Sequence, residues 1–216
     1  MIKKPIQYDV LEQGLIKLEM SKNTFNSESW SDSVFSDIRS KIKTHYISIQ
    51  KNKCPYCQQK TLSNHGRYWD IEHIIARATI VNFMFEPENL CISCIDCNQK
   101  KGKKKITSSK AKVHLPSSSS SYLIIHPHYD NYEEHIMVIK EGFYYIALKE
   151  KGEKTIEVCG LNRFYEFADY SEDVADDDRI FLLAEQLATT TDIEKKKAIR
   201  NELAYLAIQG NQCGTR

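Results

Sequence analysis

Two Cys-x-x-Cys steps, Cys54-Pro55-Tyr56-Cys57 and Cys94-Ile95-Asp96-Cys97, constrain this 216-residue chain more than any other feature. Each step can present two thiolates to one metal, and four sulfurs in a tetrahedron make the closed, structural form of a zinc site. Such a site contributes folding energy directly, because the unfolded chain has no preformed ligand set. Met1-Ile2-Lys3-Lys4-Pro5 is not followed by an apolar core of signal-peptide length, so the paired cysteines read as a metal site before they read as disulfides. The most apolar later stretch, Ile71–Phe85, is broken by Glu72, His73, Arg77 and Asn82. That leaves no membrane span and a cytoplasmic expectation. Cys91 lies in an apolar Leu90-Cys91-Ile92 run and reads as core, while Cys159 and Cys213 read as ordinary thiols. A zinc held by four cysteines has no open position for water, so any catalytic metal must sit elsewhere.

The residues around the second step offer a place for it. Trp69-Asp70-Ile71-Glu72-His73-Ile74-Ile75 sets carboxylates beside an imidazole, and Glu88-Asn89-Leu90 follows. Asn98, Lys100, Lys101, Gly102, Lys103, Lys104 and Lys105 come directly after the last cysteine of the pair. Magnesium or manganese takes oxygen ligands, so one carboxylate and one amide oxygen suffice when substrate phosphate completes the shell. Asp70 and Glu72 point the same way in an extended strand, and either can reach such an ion. A histidine with an ordinary pKa of roughly 6.5 can be neutral near pH 7 and accept a proton from attacking water. Charge supports a polyanionic ligand at this place: residues 51–112 hold twelve Lys and Arg against five Asp and Glu, a net of +7 in a chain whose total is +1.

In their order, these residues resemble the HNH, or ββα-metal, endonucleases in the zinc-stabilised version. The resemblance runs through Cys54 and Cys57, Asp70-Ile71-Glu72-His73, Asn89-Leu90, and Cys94-x-x-Cys97-Asn98-x-Lys100-Lys101-Gly102. It implies a nuclease in which His73 is the general base and Asn89 fixes the loop leading back toward it. Asn98 and Glu72 would hold a catalytic magnesium or manganese, with Asp70 as the alternative ligand. Lys100, Lys101, Lys103, Lys104, Lys105 and Arg77 would bind the substrate backbone, duplex DNA by default and RNA, including transfer RNA, as the other substrate. Glu72 stands where many members have Asp, which puts the metal position in doubt. Ala76 stands where many have Pro, which touches no chemistry. His65, His126, His128 and His135 lack this context and read as structural or exposed. The rival reading is a non-catalytic zinc module binding nucleic acid or a protein partner, which has no need for Glu72, His73 and Asn98 together.

The expected architecture is α+β, with a central ββα-metal module and its four-cysteine zinc site flanked by an N-terminal helix, a small antiparallel sheet and C-terminal helices. Residues 1–50 divide into an arm and an amphipathic helix, the latter carrying Trp30, Val34, Ile38, Ile42, Tyr46 and Ile49 at helical spacing. The nuclease module covers 51–112, and a serine-rich linker covers 113–121. Residues 122–160 form the β region, with strands expected at Tyr122–Ile125, His135–Ile139, Phe143–Leu148 and Thr155–Val158. Residues 161–216 are helical, with Asp192 capping the last run and Gly210 ending it. His126-Pro127-His128-Tyr129-Asp130-Asn131-Tyr132-Glu133-Glu134-His135, with Gly152, Thr155-Ile156 and Gly160-Leu161-Asn162-Arg163, is similar to the HNH subunits of bacterial anti-phage systems of the Septu type and of some retrons. That similarity implies a defence role and an ATPase partner of the ABC or recombination-repair class.

Overall fold

The computed structural model describes residues 1–62, 67–163 and 172–213, with side chains at all of these except 172–178 and 207–213. His65 and the Cys213 side chain lie outside the described residues. The chain forms two compact units, Met1–Asn131 and Tyr132–Arg216.

The first unit is built around a ββα element. Strand β1 (Trp69–His73) runs antiparallel to β2 (Leu90–Cys94), with Asp70 opposite Ser93 and His73 opposite Leu90. Helix α3 (Ile95–Lys101) starts at the residue after β2 and stops at Gly102. There φ is +49°, in the region that favours glycine. Two helices precede this element. The first, α1 (Val10–Met20), carries a reciprocal capping box between Asp9 and Glu12, and it occupies what reads in the sequence as an irregular arm. The second, α2 (Ser36–Ile49), buries Ile38, Ile42 and Tyr46 on one stripe. Its stripe begins with Phe35, which is buried, and not with Val34, which is exposed.

Polar side chains fasten α2 to the strands. The Gln50 amide donates to the Ile92 carbonyl and accepts from the Ile92 N–H, both at 2.8 Å, so one side chain satisfies both backbone groups of a strand residue. The Tyr46 hydroxyl donates to the Pro87 carbonyl at 2.6 Å and accepts from the Ile6 N–H at 3.1 Å.

The serine-rich stretch is fastened as well. Ser108 N–H donates to Ser121 O, Leu123 N–H to Ile106 O, and Ser119 Oγ to Asp130 Oδ1. Tyr122–Ile125, expected as a strand, finds only a single bridge to Thr107 and packs as buried loop in this unit. Among the described residues no helix is long and apolar enough to cross a membrane.

In the second unit, β3 (Ile136–Lys140) and β4 (Tyr144–Ala147) form a hairpin with a register shift between Val138 and Lys140. Helix α4 (Glu150–Cys159) follows, and it holds Thr155–Val158, which the sequence suggests as a strand. The burial pattern explains the outcome: Gly152, Thr155, Val158 and Cys159 face inward at helical spacing, and that packing overrides the β preference of Thr, Ile and Val. Helices α5 (Glu172–Thr189) and α6 (Ile193–Cys213) supply Leu183, Ile199 and Leu206 to a core shared with Met137, Ile139, Tyr144 and Ile146 of the hairpin. Asp192 caps α6 by accepting from the Glu194 and Lys195 N–H groups. The helix continues through Gly210 to Cys213.

Candidate active site and metal centre

The four paired cysteines meet at one point. The first step is a tight turn in which Gln58 N–H donates to Cys54 O and Cys54 N–H donates to Gln59 O, with Gln58 at φ +60°. The second step joins the end of β2 to α3. Cys54, Cys57, Cys94 and Cys97 are buried, with their sulfurs all within 4.8 Å of one another and Cys57 Sγ 3.8 Å from Cys94 Sγ. A tetrahedron with Zn–S bonds of about 2.3 Å has sulfurs about 3.8 Å apart, so the donor set and its spacing fit zinc. The electrostatics agree. Burial pushes the Cys54 thiol up, while the neighbouring thiols of Cys54, Cys57 and Cys97 pull Cys94 far down. Cys91 is buried in β2, apart from this cluster.

Beside the cluster lies an open cleft of about 710 Å³ whose lining includes Asp70, Glu72, His73 and Asn98. His73 ends β1. Its Nε2 donates to the Met84 carbonyl at 3.1 Å, and since a carbonyl only accepts, Nδ1 is left with the lone pair. Trp30 meets the imidazole edge-on, with ring centroids 4.5 Å apart. Burial, then the charges of Arg77 and Lys101, lower the His73 pKa to about 3, so the ring is neutral at physiological pH. Asn89 is buried and ties the loop after His73 to the approach of β2. Its Oδ1 accepts from Ile75 N–H at 2.7 Å, and its Nδ2 donates to the carbonyls of Ile75 and Phe83.

The two carboxylates of β1 differ. Asp70 is half-buried, and its Oδ2 accepts from Asn98 Nδ2 at 2.8 Å, which brings the β1 carboxylate and the α3 amide together. Glu72 is only 2% exposed. It pairs with the Lys101 ammonium at 2.7 Å and accepts from the Tyr56 hydroxyl at 3.3 Å. Burial raises the Glu72 carboxyl, and Lys101 and Tyr56 work against that rise. A hard cation is suited by the oxygens of Asp70 and Asn98, whereas the charge of Glu72 is already matched.

The lysine run divides in the same way. Lys101, expected on the substrate surface, is 1% exposed and directs its Nζ to Glu72 and to the His73 carbonyl at 3.0 Å. Its stem packs inward because α3 turns that face toward β1, so it supports the site from within. Lys103 is exposed and lines the cleft; Lys104 and Lys105 are exposed outside its lining, and Lys100 is half-buried. Arg77 lines the cleft but binds Ser27 O and lies 3.6 Å from Glu28, which clamps the turn carrying Trp30. Trp30, Arg39 and Lys43 also line the cleft, and sequence reasoning did not single them out as site residues. The signal was available for α2, where Ser36, Arg39, Ser40 and Lys43 recur at helical spacing between the apolar positions.

The sequence model of the HNH endonuclease family matches residues 54–104. Over 123 residues, 56% of the chain, the sequence is 30% identical to the Septu protein PtuB of Bacillus thuringiensis. The match covers 41% of that relative, so the chain aligns with less than half of its length. No solved structure matches. The two resemblances read from the sequence, to HNH endonucleases and to Septu-type proteins, are thus both met again in these comparisons.

Proposed function

We propose that this chain, whose residues 54–104 match the HNH endonuclease family, is a metal-dependent nuclease that hydrolyses nucleic-acid phosphodiester bonds in an anti-phage defence system. The observation that carries the activity is the open cleft in which the ββα element presents His73, Asp70 and Asn98 together. Nδ1 of His73 takes a proton from water, the water oxygen attacks phosphorus, and the bond from phosphorus to the leaving oxygen breaks. Met84 and Trp30 orient the imidazole for this, and Asn89 holds the loop that follows it. Asp70 and Asn98 would hold magnesium or manganese, with Glu72 next along the same strand face. When bound, that ion neutralises charge developing on the phosphoryl group and the leaving oxygen. The exposed Lys103, Lys104 and Lys105 hold the backbone of duplex DNA or of RNA. The defence role and a partner ATPase of the ABC or recombination-repair class rest on the similarity to the Septu protein.

Incubating the protein with plasmid and with total RNA, with magnesium, manganese or a chelator, tests the reading. Cleavage is expected with either metal and none with the chelator. Asp70→Asn should raise the magnesium concentration needed for half-maximal cleavage, while Glu72→Gln acts mainly on stability. Cleavage that persists in chelator, or no cleavage of either substrate, rejects the proposal.

A further inference from the structure

We infer that α2, which lies outside the matched family region, is a second phosphate-binding wall of the cleft and contacts the nucleic-acid backbone through Arg39 and Lys43. This rests on the nuclease reading and extends its substrate surface by an element of this chain's own. Ser36, Arg39, Ser40 and Lys43 occur at i, i+3, i+4 and i+7, and all four line the cleft that contains His73, Asp70 and Asn98. The apolar stripe of the same helix, Ile38, Ile42 and Tyr46, is buried on the other side. The helix therefore presents a wall of two cations and two hydroxyls, which are the side-chain types that contact phosphate oxygens.

Charge complementarity selects the occupant. Five Lys and Arg and three Asp and Glu line the cleft, a net of +2 from these eight side chains. A polyanion is favoured there even before a divalent ion is added. Arg39 is suited to the role because it is already fixed. Its Nη1 donates to Trp30 O at 2.6 Å and to Asp32 O at 2.8 Å, leaving the other N–H groups of the guanidinium for a ligand. The same two bonds tie this wall to the turn that carries Trp30, so the proposed phosphate contact and the packing around the base share one support. The other side of α2 makes a different kind of contact, since Lys41 pairs with Glu12 of α1 at 2.5 Å. The phosphodiester backbone is the ligand chemistry in both DNA and RNA, and the test uses both.

Binding is measured by fluorescence anisotropy on a labelled DNA duplex and a labelled RNA hairpin, from 50 to 200 mM salt, in His73→Ala protein so that nothing is cut. Each phosphate contact contributes about 0.9 to the slope of log affinity against log salt on duplex DNA. Arg39→Ala/Lys43→Ala should therefore lower that slope by about 1.8, so that its affinity falls roughly tenfold less than the parent's over this range. Binding at 50 mM should weaken for both probes. Lys43→Ala alone should lower the slope by about 0.9. Lys41→Ala, which removes the same charge from the other side of the helix, should leave it unchanged. Arg39→Lys, which loses the bonds to Trp30 and Asp32 but keeps the charge, should hold the parental slope and so separates charge from packing. A parental slope in the double variant, or an equal drop in Lys41→Ala, overturns the assignment of α2. If the wild type neither binds nor cuts either probe, the nuclease reading fails, and this one with it.

Discussion

At the scale of single residues, the cleft is organised by groups that never need to touch substrate. His73 is held at Nε2 by a carbonyl and on its edge by Trp30, so its tautomer and its orientation come from different parts of the chain. His73→Ala should lower cleavage by roughly 10²- to 10⁴-fold while leaving zinc content unchanged. Near-wild-type cleavage by that variant would end the general-base assignment. Trp30→Ala should lower turnover more than it raises KM, because it frees the ring and leaves the cationic walls in place, and Trp30→Phe should restore much of the loss. Lys101 and Glu72 form the other inward device. Removing one partner of a buried ion pair costs about 3–5 kcal/mol, because it leaves the other charge uncompensated. Lys101→Met should therefore be strongly destabilising in urea unfolding, and adding Glu72→Leu should recover part of the loss. Additive losses in the double variant would mean that the two charges do not act as a pair.

At the scale of elements, the site was legible where chemistry fixes spacing and illegible where packing decides. The cysteine steps could be read directly, because paired ligands for one metal recur at short fixed intervals, and their four sulfurs meet. The strand 70–73 and Asn98 were singled out through the resemblance to HNH endonucleases, and Asp70 and Asn98 lie within hydrogen-bond distance across 28 residues of sequence. Helix α1 could not be read from periodicity. Only Ile16 is buried, while Val10, Leu11 and Leu18 are exposed, so its apolar residues describe no single stripe; the Asp9–Glu12 capping box was its one local signal. The burial of Lys101 was hidden for a related reason, since a lysine in a lysine run reads as surface until the facing strand is seen to carry Glu72. Thr155–Val158 reads as strand by composition, and its helical burial pattern depends on the hairpin it packs against. The four-cysteine cluster joins the 54–57 turn to the β2–α3 junction. Cys97→Ser should therefore lower bound zinc and speed amide exchange in β1, β2 and α3 together, as expected for a site that supplies folding energy. Native protein found by elemental analysis to contain no zinc would overturn the metal centre.

At the scale of the molecule, charge and division follow the same line. Met1–Asn131 carries nineteen Lys and Arg against twelve Asp and Glu, a net of +7, and Tyr132–Arg216 carries eleven against seventeen, a net of −6. The cleft, the four-cysteine cluster and the positive balance all belong to the first unit, while the second has its own core of hairpin and helix side chains. Gly152 provides a way to disturb one unit alone. A Cβ at this position would lie 1.9 Å from the His135 carbonyl oxygen and 2.7 Å from its carbon, and the backbone there cannot move aside as a side-chain tip would. Overpacking of this kind costs roughly 1–3 kcal/mol. Gly152→Ala should accelerate hydrogen exchange in β3, β4 and α4, with exchange in β1, β2 and α3 and the bound zinc unchanged. If exchange rises equally in β1 and β2, the two units unfold as one cooperative body, and the charge division is a property of the surface alone.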